Sequence, residues 1–234
     1  MKRILVILSI CLAFVLTSCN PEIDNYKAPS ETLTGRVIDA VTGQPILTEQ
    51  PNGFQIRYKE IGYRTDSPDQ FFWGKADGTF NHSKLFANTY EVTPVNGPFV
   101  QPETKTVEIK GITTMEFIVT PYLNVTEPTV SLSGDILTVT FKITRPSTIS
   151  SKLNNSFVAI DWNPNVGNAV NKARQNTSYT NVADDDILDK VQTVTIDLSA
   201  RGINKGYKYY VRIGACTSSN TSRYNYSTRL EFDY

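Results

Sequence analysis

The sequence predicts an all-β protein made of two tandem β-sandwiches carried behind a lipoprotein signal peptide. Three observations lead there. Tyr and Phe alone number 12 and 11 among 234 residues, and Thr, Val and Ile are also frequent, the residue types that fit a pleated, half-buried surface. Behind the leader no stretch keeps a helical apolar period for three turns, whereas period-two alternation bounded by Gly, Pro, Asn and Asp recurs. The roughly 200 residues that follow the leader suffice for two small domains.

The leader opens on Lys2 and Arg3 and continues as an apolar run over residues 4–16, broken only by Ser9. That order fits a secretory signal over residues 1–18; the run is shorter than the roughly 20 apolar residues of a transmembrane helix. It ends in Leu16-Thr17-Ser18-Cys19, which resembles the bacterial lipobox. The resemblance implies that Cys19 is alkylated by diacylglycerol before cleavage and that the acyl chains hold the protein to a membrane. Residues 19–30 form a lipidated tether, with Pro21, Pro29 and no regular period. Glu22 and Asp24 resemble the export tags of Bacteroidetes surface lipoproteins, which implies outer-membrane display on the cell surface; the periplasmic face is the alternative.

The first sandwich is expected over residues 31–121. Leu33, Gly35, Val37 and Asp39 alternate in its first strand, and Thr42-Gly43-Gln44-Pro45-Ile46 supplies a turn. Phe54, Ile56 and Tyr58 then share one face, with Gln55, Arg57 and Lys59 on the other. Residues 70–74 form a strand that runs into Asp77-Gly78, a tight-turn signal, before Thr79-Phe80. Strands follow over 85–92, 105–109 and 114–120. The pieces Gly35-Arg36-Val37, Thr42-Gly43-Gln44-Pro45-Ile46, Asp77-Gly78-Thr79-Phe80 and Leu85 with Tyr90 and Val92 resemble the carboxypeptidase-regulatory, transthyretin-like sandwich. Asn88 stands where that family has a turn glycine, and Asn tolerates the left-handed region.

The second sandwich is expected over 125–234, with Pro128 near the border. Val130 and Leu132 begin a strand, and Ser133-Gly134-Asp135 is a turn. Leu137, Val139, Phe141 and Ile143 then alternate, and strands follow at 157–162 and 191–198. The run Lys205-Gly206-Tyr207-Lys208-Tyr209-Tyr210-Val211-Arg212-Ile213 resembles the sixth-strand region of fibronectin type III and immunoglobulin-like domains. That implies a corner tyrosine at Tyr209, its hydroxyl returning to nearby backbone, with Val211 and Ile213 in the core. Residues 229–234 complete the fold as an edge strand. The whole resembles two-domain surface lipoproteins of Bacteroidetes associated with glycan-uptake loci of the starch-utilisation type.

Chemistry is sparse. The chain is formally neutral, and loss of Lys2 and Arg3 leaves the mature protein slightly acidic, without the clustered basic face that nucleic acid requires. Cys11 departs with the signal and Cys19 is lipidated, so Cys216 stands alone and is expected to pack as a small apolar residue. His82, the only histidine, lies between Asn81 and Ser83 and reads as a solvated turn residue. No nucleophile elbow or zinc-ligand cluster accompanies it. Asp184, Asp185 and Asp186 read either as a solvated acidic loop or as a calcium site. No enzyme and no cofactor are expected.

Aromatics are the candidate binding elements, because sugar rings present apolar C–H faces to them. In Phe71-Phe72-Trp73, Phe71 and Trp73 share a face opposite Phe72, and three large aromatics in succession exceed a one-sided core. Trp162 reads either as a rim residue near Tyr179 or as a core tryptophan. Tyr224, Asn225 and Tyr226, in the loop-like stretch 222–227, read as an exposed pair flanking a hydroxyl reader. Trp73, Phe72, Trp162, Tyr179, Tyr224, Asn225 and Tyr226 are thus the candidate glycan-binding residues. The expected function is an accessory glycan-binding or glycan-presenting surface lipoprotein of a polysaccharide-uptake system. The alternative is a structural lipoprotein that docks onto an outer-membrane transporter complex and touches no sugar.

Overall fold

The computed structural model describes residues 27–63 and 66–234. The expected all-β architecture is observed: among the described residues, fifteen strands and one helical turn form two β-sandwiches in succession. In the first, β1 (Glu31–Asp39), β4 (Thr79–Leu85) and β7 (Ile112–Val119) make one sheet in the order β4-β1-β7. β2 (Gln55–Glu60), β3 (Gln70–Trp73), β5 (Asn88–Val95) and β6 (Lys105–Ile109) make the other, in the order β3-β2-β5-β6. The alternation read from β2 holds, with Phe54, Ile56 and Tyr58 buried. They pack with Leu33, Val37, Phe80, Tyr90, Val92 and Phe117 between the sheets.

Gly35 sits where strand geometry leaves no room. It pairs with Met115 of β7, and a Cβ there would strike the Met115 carbonyl and the Phe80 ring. Neither is the free end of a flexible side chain, so Gly35→Ala is expected to destabilise the protein by about 1–3 kcal/mol, the usual cost of overpacking a close approach. A urea midpoint unchanged from wild type would contradict this. Asn88, by contrast, does not adopt the left-handed conformation expected of it. It starts β5, donates its amide to Glu60 and accepts from the Thr89 N–H at 2.7 Å.

The second sandwich places β8 (Asn124–Ser133), β9 (Ile136–Thr144) and β12 (Val191–Asp197) in one sheet, order β12-β9-β8. The other holds β10 (Leu153–Asp161), β11 (Ala173–Ser178), β13 (Lys208–Thr217) and β14 (Asn220–Tyr226), order β11-β10-β13-β14, with β15 (Leu230–Asp233) also on β13. The single turn α1 (Asp184–Ile187) precedes β12. Pro128 lies inside β8, at the irregularity between Thr126 and Thr129; an edge strand tolerates the missing donor there. Tyr209 is fully buried, and its hydroxyl donates to the Asn204 carbonyl at 3.0 Å. Val211 and Ile213 face the core.

The β10 sequence Phe157-Val158-Ala159-Ile160 is apolar without alternation, the pattern of a strand covered on both faces. Val158 and Ile160 face the sandwich core, while Phe157 and Ala159 join Val166, Cys216, Tyr224 and Tyr226 in a separate cluster. Leu47 of the first domain packs against that cluster, which is therefore the contact between the two sandwiches. Backbone closes it too: the Tyr226 N–H donates to the Leu47 carbonyl at 3.2 Å.

Candidate glycan-binding site

The aromatic candidates separate into four places. Phe71 and Trp73 project from the outer face of β3, 49% and 41% exposed, while Phe72 turns inward and packs against the first core. β3 is an edge strand, so solvent reaches these rings from the side as well as from above. Cross-strand pairing sets their polar neighbours: Gln55 lies opposite Trp73, and Arg57 opposite Phe71. Arg57 donates to the Thr104 and Thr93 hydroxyls at 3.1 and 3.4 Å and lies 3.5 Å from Asp69. Its buried Nε finds no acceptor among the described residues.

The Trp73 end is completed from the second domain. Arg223 places its guanidinium 5.7 Å from the Trp73 ring centre and donates through Nε to the Asn96 carbonyl at 2.9 Å. Asn96 in turn donates its amide to Gln55 at 2.8 Å. Two ring faces about 7 Å apart along a strand, rimmed by Arg57, Gln55, Asp69 and Arg223, can stack saccharide C–H faces and hydrogen-bond the hydroxyls between them. Arg57 was legible as an outward residue, but of the triplet the expected binding residues were Phe72 and Trp73; Phe72 packs inward against the core, and Phe71 takes its place on the outer face beside Trp73. Arg223 carried no local signal, because it arrives from a strand 150 residues downstream.

Trp162 is the other exposed tryptophan, 57% accessible and therefore not a core residue. The Lys172 ammonium sits 4.4 Å over its ring. Tyr179 is not beside it: Tyr179 pairs its N–H with Asn154, at the far end of β10, roughly 25 Å away at about 3.3 Å per residue. Tyr179 is buried and shares a 2.8 Å hydrogen bond with the Ser156 hydroxyl, so it presents nothing to a ligand.

Tyr224, Asn225 and Tyr226 correct a larger expectation. They lie in strand β14 and are all buried. Phe157 meets Tyr224 and Tyr226 edge-on at 4.9 and 5.8 Å. Asn225 accepts from the Leu123 N–H at 3.1 Å and donates to the Pro98 carbonyl at 3.0 Å. These residues hold the domains together and leave no exposed pair.

His82 is likewise not a turn residue. It lies in β4 against the Phe72 and Tyr58 rings. Its Nδ1 accepts from the Lys84 N–H at 3.2 Å. Nε2 lies 3.3 Å from the Tyr58 hydroxyl, which donates to Gln70 at 2.8 Å. Burial lowers the His82 pKa from its ordinary value. The unfolded chain therefore binds this proton more readily than the folded one. The stabilisation is complete above the unfolded value near 6.5 and declines as pH falls through the lower folded value. The denaturation midpoint is expected to drop between about pH 7 and 5, with His82→Gln flattening that segment. An identical slope in the variant would assign the effect elsewhere.

Asp184 is occupied by an ion pair with Arg145 and accepts from the Leu153 N–H at 3.3 Å. Among the described residues, no group of three or more His, Cys, Asp or Glu side chains is placed to hold a metal ion. No described helix is long and apolar enough to cross a membrane. The signal segment and Cys19 lie outside the described residues.

Comparison with known proteins follows the two-domain division. The N-terminal domain of the protein of unknown function DUF3823 matches residues 31–120, and its C-terminal counterpart, a domain of unknown function, matches residues 123–230. No curated protein matches the chain. Among solved structures, the chain is similar to a DUF3823 family protein from Parabacteroides merdae ATCC 43184. The identity is 25% and the TM-score 0.74, over 88% of this chain and 100% of that one. It is also similar to a Bacteroides uniformis ATCC 8492 protein named a "putative carbohydrate binding protein". Here the identity is 26% and the TM-score 0.73, again over 88% and 100% of the chains. With both sandwiches matched in order, the protein belongs to the two-domain DUF3823 family.

Proposed function

We propose that this protein is a non-catalytic, lipid-anchored surface component of an outer-membrane polysaccharide-uptake system, and that it binds glycan through Phe71 and Trp73. The observation that carries the reading is the pair of outward rings on β3 with Arg57, Gln55, Asp69 and Arg223 around them. A monomeric fold has little reason to leave two large aromatics adjacent on one face unless something covers them. A relative named for carbohydrate binding, at 26% identity over its full length, supports the same reading. The lipobox ending in Cys19 and the acidic tether supply the anchor and the surface address. The transthyretin-like and fibronectin type III-like sandwiches serve as rigid presenters, next to a glycan transporter whose substrate they collect.

Affinity electrophoresis of the lipid-free two-domain protein in gels containing neutral and acidic polysaccharides tests the proposal. Retardation by at least one polysaccharide is the expected result. A folded protein that migrates unchanged through a broad panel would overturn it. Co-purification with an outer-membrane transporter in that case would favour the docking reading, with the edge strand β3 as the contact.

A further inference from the structure

A cleft of about 360 Å³ opens between the two domains, lined by Leu47, Gln50, Lys75 and Asp77 of the first domain and by Asn165, Arg212, Ser227 and Arg229 of the second. Its floor carries an unusual group. Arg212 lies in β13 on the face opposite the core-directed Val211 and Ile213, and only 5% of the residue is accessible. Its Nε donates to the Ser227 carbonyl at 3.3 Å, and its guanidinium stacks 4.4 Å over the Tyr226 ring. Neither terminal amine has a hydrogen-bonding or ion-pairing partner among the described residues. A buried cation without a carboxylate partner is expensive, and burial pulls the Arg212 pKa down to about 10.

The neighbouring carboxylates are committed elsewhere. Glu49 is near enough to favour the Arg212 charge, but its Oε2 accepts from the Ala169 N–H at 2.9 Å and it forms no ion pair with Arg212 among the described residues. Asp77 turns back onto Thr79, accepting from its N–H at 3.0 Å and its hydroxyl at 2.7 Å. The two remaining cations face the opening: Lys75 and Arg229 are exposed, and Arg229 is held by the Pro164 carbonyl at 3.1 Å. A planar guanidinium with its two terminal amines free matches a carboxylate or sulfate oxygen pair.

We infer that this interdomain cleft binds a compact oxyanion carried on a saccharide, a uronate carboxylate or a sulfate ester, with Arg212 as the buried receptor and Arg229 and Lys75 at the mouth. The inference does not depend on the aromatic platform, whose Phe71 and Trp73 do not line the cleft. Glucuronate, glucose 6-sulfate and unmodified glucose, titrated into the two-domain protein by calorimetry, test it. Either acidic sugar is expected to bind while glucose does not, and the one that binds names the oxyanion. Arg212→Met and, to guard against a folding defect at the buried position, Arg229→Ala are each expected to weaken binding at least tenfold. Failure of both acidic sugars to bind the folded wild-type protein would overturn the inference. So would binding that survives in both arginine variants, or equal binding of glucose.

Discussion

Asn225→Ala is expected to lower the stability of the protein by about 2–4 kcal/mol. The side chain is buried and spans three segments, from β14 to the Leu123 N–H of the interdomain junction and to the Pro98 carbonyl of the first domain. Alanine leaves the two sides unequally affected. Pro98 keeps a second donor, the Tyr122 N–H at 3.0 Å, so its loss is that of one ordinary hydrogen bond, about 0.5–1.5 kcal/mol. Leu123 keeps none among the described residues, and a buried unsatisfied N–H costs about 1–3 kcal/mol. Asn225→Asp retains the acceptor for Leu123 but sets a carboxylate against the Pro98 carbonyl, so it is expected to be at least as damaging. Urea unfolding measures both. A shift below about 0.5 kcal/mol in the alanine variant, the range of ordinary surface substitutions, would show that the clasp is dispensable.

That residue also shows where sequence reading ended. Strands with one dry face announce themselves: Phe54, Ile56 and Tyr58 alternate because the sheet beneath them is covered by their own domain, whereas Tyr209 was legible through the resemblance of residues 205–213 to fibronectin type III domains. β14 gave no such sign. Its composition, Asn, Thr, Ser, Arg, Tyr, Asn, Tyr, is that of a loop, and what buries it is Phe157, Val166 and Cys216 of its own domain together with Leu47 and Pro98 of the first, contacts no local period encodes. The same polarity hid His82. Between Glu31 and Leu33 the β1–β4 register shifts, so Leu85 pairs with Glu31 and His82 with Leu33; the irregularity breaks the alternation that would have marked a strand. For the candidate site, the Phe71-Phe72-Trp73 triplet was legible because strand geometry forces two of three rings to one side. The arginines that complete it were not. Arg57 was one outward cation among several, and Arg223 needed the docked second domain.

Trp73→Ala is expected to weaken glycan binding at least tenfold, and Phe71→Ala combined with it to abolish detectable retardation in affinity gels. A tryptophan at the centre of a binding surface typically carries 2 kcal/mol or more, and about 1.4 kcal/mol already makes a factor of ten. Both rings are largely exposed in the free protein, so folding should tolerate their removal, with urea midpoints close to wild type. Arg57→Lys separates charge from shape: lysine retains the cation but loses the planar fork that reaches Thr93 and Thr104. A drop in affinity there, with Trp162→Ala unaffected, would locate recognition on β3 and not on the second exposed tryptophan. The reverse pattern, with binding lost in Trp162→Ala and kept in the β3 variants, would move the site to the end of β10. There Lys172 already covers one face of the ring at 4.4 Å and a sugar would have to stack on the other.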